Sequence, residues 1–259
     1  MEAVGVEVDA RGVARVTLRR AERHNALDAG MMDGLTAAAG RLGVDPGVRA
    51  VVLEAEGESF CAGGDLGWMR AQVEGGPEAR QVEARRLAGM LAALNACPKV
   101  LIARVQGNAF GGGVGLISVC DIAVGVTGAR FALTETRLGL IPATISPYVL
   151  ARIGASWMRR HALTGGRFGA GEAVSMGLLS AAVDPGDLDE AIMHEVAAAL
   201  VSAPGAIAET KALIVRLAAP VTQAMVEDSI AALATRWESA EAAEGIAAFF
   251  ARTPAPWAR

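Results

Sequence analysis

The 259-residue chain reads as an α/β protein whose last quarter is all helix, and three observations carry that reading. First, 53% of the residues are hydrophobic against a net charge of -4, enough apolar material for a substantial core and too little charge for disorder. Second, short apolar strand runs alternate with helical patterns over the first three quarters. Third, no strand signal remains after about residue 186. Residues 1–187 are expected to form the α/β core and residues 188–259 a helical region.

Taken in order, Val4, Val6 and Val8, then Val13, Val16 and Leu18, alternate around an Asp9-Ala10-Arg11-Gly12 turn, which predicts two short paired strands. Asp28 is placed to cap a helix with Leu35 and Leu42 facing the core. Val48 to Leu53 reads as a strand, bounded by Asp45-Pro46-Gly47 and by the turn at Gly57. Pro77 to Ala96 carries Leu87, Met90, Leu91 and Leu94 at helical spacing, and Pro98 ends it before the strand Val100 to Val105. Gly111 to Val119 reads as a helix entered through glycines, followed by the strand Ile122 to Val126. The tail divides into helices at Leu188 to Val201, Pro204 to Leu217, Val221 to Trp237 and Ala240 to Phe250. Its apolar faces need a surface, either the core or another subunit.

Several functions are excluded. The longest run near the middle without a charge, amide or proline, Ala109 to Cys120, falls short of the ~18 residues that span a bilayer and contains three consecutive glycines. Glu2, Glu7 and Asp9 do not suit a secretory signal. A net negative charge without a basic stripe argues against nucleic acid. Cys61, Cys97 and Cys120 are odd in number and far apart, as expected of reduced thiols in the cytoplasm. The phosphate-loop, dinucleotide and nucleophile-elbow motifs are missing, and His24, His161 and His194 have no metal-ligand spacing. No metal is expected.

Two glycine-rich turns remain, Ser59-Phe-Cys-Ala-Gly-Gly-Asp-Leu66 and Gly107-Asn-Ala-Phe-Gly-Gly-Gly-Val-Gly115, each between a strand and a helix. Glycine lets backbone approach a ligand closely, and a helix start leaves N–H groups unpaired. Two such turns brought together supply the convergent donors that a developing oxyanion requires.

These residues resemble the crotonase (enoyl-CoA hydratase/isomerase) superfamily. Phe60-Cys-Ala-Gly-Gly-Asp65 is similar to its F-x-A-G-x-D segment, and Gly107 to Gly113 with Cys120-Asp-Ile-Ala123 to its second turn and following strand. Phe131 to Pro142 resembles the segment carrying its catalytic glutamate, while Arg23-His-Asn-Ala-Leu27 and Ala170 to Leu178 match in place and order. The resemblance implies a spiral of ββα units, a helical C-terminal region that makes a homotrimer or homohexamer, and an acyl-CoA thioester as substrate. Coenzyme A is then part of the substrate, and no separate cofactor is expected.

Carried over position by position, the amides of Gly64 and Gly112 would bond the thioester oxygen. Ala62 and the run Gly64, Asp65, Leu66 and Gly67 would line coenzyme A, with Arg23 or His24 near a phosphate. Glu135 would be the acid–base group, its apolar neighbours Phe131, Leu133, Leu138, Leu140 and Ile141 raising its pKa. Many hydratases of the superfamily use a second glutamate about twenty residues earlier, where this chain has Gly115. Gly115 is expected to leave space for a bulkier acyl chain. The stretch from Gly111 to Asp121 and Glu135 through Ile145-Ser-Pro-Tyr148 is most like methylglutaconyl-CoA and isohexenylglutaconyl-CoA hydratases. Ser146 and Tyr148 would bring hydroxyls near the acyl group, Ser146 serving equally well as a helix cap. The leading expectation is hydration of a 2-enoyl-CoA, branched or carboxylated. The alternatives are a Δ3,Δ2-enoyl-CoA isomerase and a non-catalytic acyl-CoA or RNA binder.

Overall fold

A computed structural model describes residues 2–218 and 222–257. The chain opens with a hairpin, β1 (Val4–Val8) and β2 (Val13–Leu18). Its turn is held by the Asp9 carboxylate, which accepts from the amides of Arg11 and Val13 at 2.9 and 3.0 Å. Helix α1 (Ala29–Val44) follows, capped as expected by Asp28, whose Oδ1 accepts from the Met31 amide at 2.9 Å. Next come β3 (Ala50–Ala55), β4 (Ser59–Cys61), α2 (Leu66–Glu74) and α3 (Pro77–Ala96). The chain continues through β5 (Val100–Val105), β6 (Asn108–Phe110), α4 (Gly112–Ser118), β7 (Ile122–Val126) and β8 (Arg130–Ala132). A 3-10 turn at Glu135–Leu138 leads into α5 (Ser146–Thr164), then β9 (Phe168–Gly169), α6 (Ala170–Ser175) and β10 (Ala181–Val183).

The strands sort into two sheets, one of six in the order β1-β2-β3-β5-β7-β10 and one of four in the order β4-β6-β8-β9. Three times in succession a strand of the larger sheet is followed by a strand of the smaller one and then by helix. β3, β5 and β7 pair in parallel, as do β4, β6 and β8, which is the spiral of ββα units. The larger sheet was legible because its strands run five or six residues over most of its width. The smaller sheet was not: its strands have two or three residues, too few for a period, and the first two lie inside the segments read as glycine turns.

The tail forms α7 (Leu188–Leu200), α8 (Pro204–Leu217), α9 (Gln223–Trp237) and α10 (Ala240–Ala251). Val221, read as the first residue of the third tail helix, lies outside the described residues. The four helices meet three fates. α7 buries Leu188, Ile192 and Val196 in the main core against the large sheet. α9 and α10 build a second apolar cluster, in which Ile230, Leu233, Trp237 and Ile246 meet Met69, Ala88 and Leu140. α8 buries none of its residues, and Leu213, Ile214, Val215 and Leu217 are exposed. Trp237 is thus satisfied within its own chain, whereas Phe249 and Trp257 stay exposed.

Candidate active site

The first glycine turn is held by the segment just before α1. Ala62 N–H donates to the His24 carbonyl (2.9 Å), Leu27 N–H to the Gly63 carbonyl (2.7 Å) and Asp65 N–H to the Leu27 carbonyl (2.9 Å). These bonds occupy the amides of Ala62 and Asp65 and leave the Gly64 N–H without a protein acceptor among the described residues. Asn25 is the strut. It is buried with φ 52°, its Nδ2 donates to the carbonyls of Glu56 (2.8 Å) and Ser59 (2.9 Å), and its Oδ1 accepts from the Arg20 amide (2.9 Å). This explains in structural terms the Arg23-His-Asn-Ala-Leu27 segment, from which the sequence reading took only Arg23 and His24 as candidates. Asp65 caps α2 through the amides of Gly67 (2.8 Å) and Trp68 (3.2 Å) and pairs with Arg20 at 3.0 Å. Burial pushes the Asp65 carboxyl up, but the Trp68 and Gly67 amides and Arg20 together outweigh it and hold it below the usual range.

The second turn leaves β6 at Gly111, whose φ of 48° favours glycine, and starts α4 at Gly112, whose N–H has no partner within its helix. The two turns abut. A Cβ on Gly63 would stand 3.0 Å from the Phe110 carbonyl oxygen and 3.7 Å from the Gly112 nitrogen. Glu135 closes the group, since a Cβ on Gly111 would lie 2.9 Å from its Oε1. Gly64, Gly112 and Glu135 all line one cavity of about 100 Å³.

Glu135 is the single ionisable residue among those lining this cavity. Its Oε2 is out of solvent and has no hydrogen-bond partner among the described residues. Burial therefore pushes the carboxyl up to about 7, opposed only by its own backbone amide. Apolar neighbours set this environment, among them Leu138, Leu140 and Ile141 as the sequence suggested. Trp68, Leu233 and Trp237 complete the wall, the last two from α9. Arg137 does not pair with Glu135; its Nε reaches the Thr164 carbonyl at 3.4 Å.

Residues 9–259 match the family described as Enoyl-CoA hydratase/isomerase. The chain belongs to that family. It is 36% identical over 254 residues to a Thermus thermophilus protein whose name assigns it to the enoyl-CoA hydratases, covering 96% of this chain and 98% of the other. It is 37% identical over 185 residues to the Alternaria alternata enoyl-CoA hydratase ACTT6, covering 71% of this chain and 60% of that one. Among solved structures, an enoyl-CoA hydratase from Mycobacterium avium superposes with a TM-score of 0.89 at 32% identity over 99% of both chains.

Within this enoyl-CoA hydratase/isomerase fold, the remaining sequence candidates separate. Ala62, Leu66 and Gly67 are exposed on the outer side of the first turn, outside the cavity lining, and Asp65 is half-buried in its cap. Gly115 is a correction. The expected space is not there, because a Cβ on Gly115 would stand 2.5 Å from Ile145 Cγ2 and 3.0 Å from its Cβ. Ile145, 2% exposed, has filled the place of the missing side chain. Ser146 and Tyr148 are a second correction. Ser146 Oγ donates to the Pro142 carbonyl at 2.6 Å, and neither residue lines the cavity; Tyr148 borders a separate groove with Asp121, Arg152 and Lys211. Helix α5 turns both away. The sequence reading missed Trp68, Thr144, Ile145 and Trp237 as cavity residues, and nothing local marks them.

Proposed function

We propose that this member of the family is a hydratase that adds water across the double bond of a 2-enoyl-CoA. The observation that carries this reading is Glu135: a lone carboxyl with one oxygen unpartnered among the described residues, beside two glycine turns, in a mostly apolar cavity. In the proposed reaction the Glu135 carboxylate takes a proton from water while the water oxygen bonds to C3. The π-electron pair moves through C2 onto the thioester oxygen, and the enolate is stabilised by the Gly64 and Gly112 amides. Glu135 then returns the proton to C2. A carboxyl titrating near neutrality suits both halves of that exchange. Ala62 and the Asp65–Gly67 edge would carry coenzyme A outside the cavity. The lining favours a branched apolar acyl group over a carboxylated one, since no Lys, Arg or His lines the cavity among the described residues.

The isomerase reading draws on the same observation, because shifting a double bond needs one carboxylate and no water. Reaction in ¹⁸O-labelled water separates the two by mass spectrometry. Hydration puts the label in a 3-hydroxyacyl-CoA; conversion of 3-enoyl to 2-enoyl thioester with no label taken up overturns the hydratase reading. The exposed apolar face of α8 supports assembly as a trimer or hexamer, and three buried free cysteines suit the cytoplasm.

A further inference from the structure

With Gly115 unable to carry a proton and Ile145 packed into its place, a water in this cavity has one charged partner, Glu135. A bound water is oriented by two or more polar contacts, so a single carboxylate leaves its attack direction open. The lining contains two hydroxyls, Thr134 and Thr144. Thr134 is half-buried beside Glu135 and caps no helix. Thr144 is different in burial and in place. It is 4% exposed, borders the cavity and adjoins Ile145, the residue that fills the space beside Gly115. Its neighbours in the loop are bonded: Ser146 Oγ to the Pro142 carbonyl, and the Ala143 amide to the Ile141 carbonyl at 2.8 Å. The Thr144 hydroxyl makes no hydrogen bond to protein among the described residues, nor is it sealed from all open space. A buried hydroxyl left without a protein partner is costly unless something else bonds it. Thr144 and Glu135 line the same cavity.

We propose that Thr144 is a positioning residue, its hydroxyl holding the attacking water against Glu135 in place of a second carboxylate. The proposal rests on the hydratase reading. The balance of the step is unchanged: Glu135 takes the water proton and returns it to C2, the oxygen bonds to C3, and Thr144 keeps its own proton throughout. A hydroxyl suits this task because it can donate to the water oxygen and accept from its hydrogen, whereas a valine of the same shape does neither.

The test compares wild type, Thr144→Val and Thr144→Ser on 2-butenoyl-CoA and its 3-methyl analogue in ¹⁸O-labelled water. Thr144→Val should lower the hydration kcat by ~10–10² with KM changed less than about threefold, and Thr144→Ser should restore most of the loss. Rescue by serine, which is smaller than valine but keeps the oxygen, separates positioning of water from packing of the loop. Three results overturn the proposal while leaving the hydratase reading intact: Thr144→Val hydrates as wild type does, valine and serine lower kcat alike, or the loss falls in KM alone. Wild type that turns over thioester without ever taking up label overturns the hydratase reading, and the Thr144 proposal falls with it.

Discussion

The family resemblance would put carboxylates at two positions, Glu135 and Gly115, and the protein treats them in opposite ways. Around Glu135 it keeps a cavity open and leaves one carboxyl oxygen out of solvent and without a partner among the described residues. Around Gly115 it leaves no room, because Ile145 stands 2.5 Å from where a side chain would begin. A side chain missing from a close-packed interior leaves a hole unless a neighbour of suitable shape fills it, and here Ile145 does. On the proposed reading the chemistry falls on one residue, and an acyl chain would gain no space beside Gly115.

The largest expected effect tests the Glu135 half of that contrast. Glu135→Gln keeps shape and most hydrogen bonding but cannot move a proton, so turnover should fall ~10²–10⁴ while thioester affinity by calorimetry survives. In wild type, hydration kcat/KM should rise with pH through about 7 as the carboxyl becomes the base. Activity retained by the glutamine variant would end the comparison, since neither place would then hold the acid–base group.

A second test reads the same residue through stability. The folded-state pKa of Glu135 is raised from 4.5 to about 7, so the native state holds its proton longer than the unfolded chain does. The contribution is fully present below the unfolded value and is lost as pH rises through about 7. Glutamine has no such loss. Between about pH 4 and about pH 8 the stability difference should move by about 3 kcal/mol in favour of Glu135→Gln, measured by urea unfolding. A pH-independent difference would mean that the carboxyl is solvated in the native protein.

The smallest effect sharpens the Gly115 half. Alanine for glycine inside a helix usually stabilises by about 0.5–1 kcal/mol, and Gly89→Ala in α3, where a Cβ meets nothing within 4 Å, should do so. Gly115→Ala should instead destabilise, by about 1–3 kcal/mol, because Ile145 must move. For the same reason Gly115→Glu should gain hydration of linear enoyl-CoAs only when Ile145 is cut to alanine. Equal shifts in Tm for the two alanine variants would show that Ile145 yields freely.

Much of this molecule was legible one residue at a time. The hairpin, the Asp28 cap, the helix Pro77–Ala96, the strands Val100–Val105 and Ile122–Val126 and the helical tail all announce themselves by period or punctuation, which act over a few neighbours. The motifs that place the two turns and Glu135 in one family are local too. Strands of two or three residues escaped because they have no period and exist only through their partners. Asn25 showed no role in the sequence, since the carbonyls it bonds belong to Glu56 and Ser59, some thirty residues on.

The sequence by itself determined the family, which two backbone turns stood ready and which carboxyl was available. Only the tertiary structure decided that Glu135 would titrate near neutrality, that Ile145 would close the space beside Gly115, that Tyr148 would face another groove, and that α9 would wall the cavity. The reason is physical. Periodicity, caps and motifs are carried by residues close along the chain, whereas desolvation and close packing are properties of a volume whose walls come from residues a hundred positions apart.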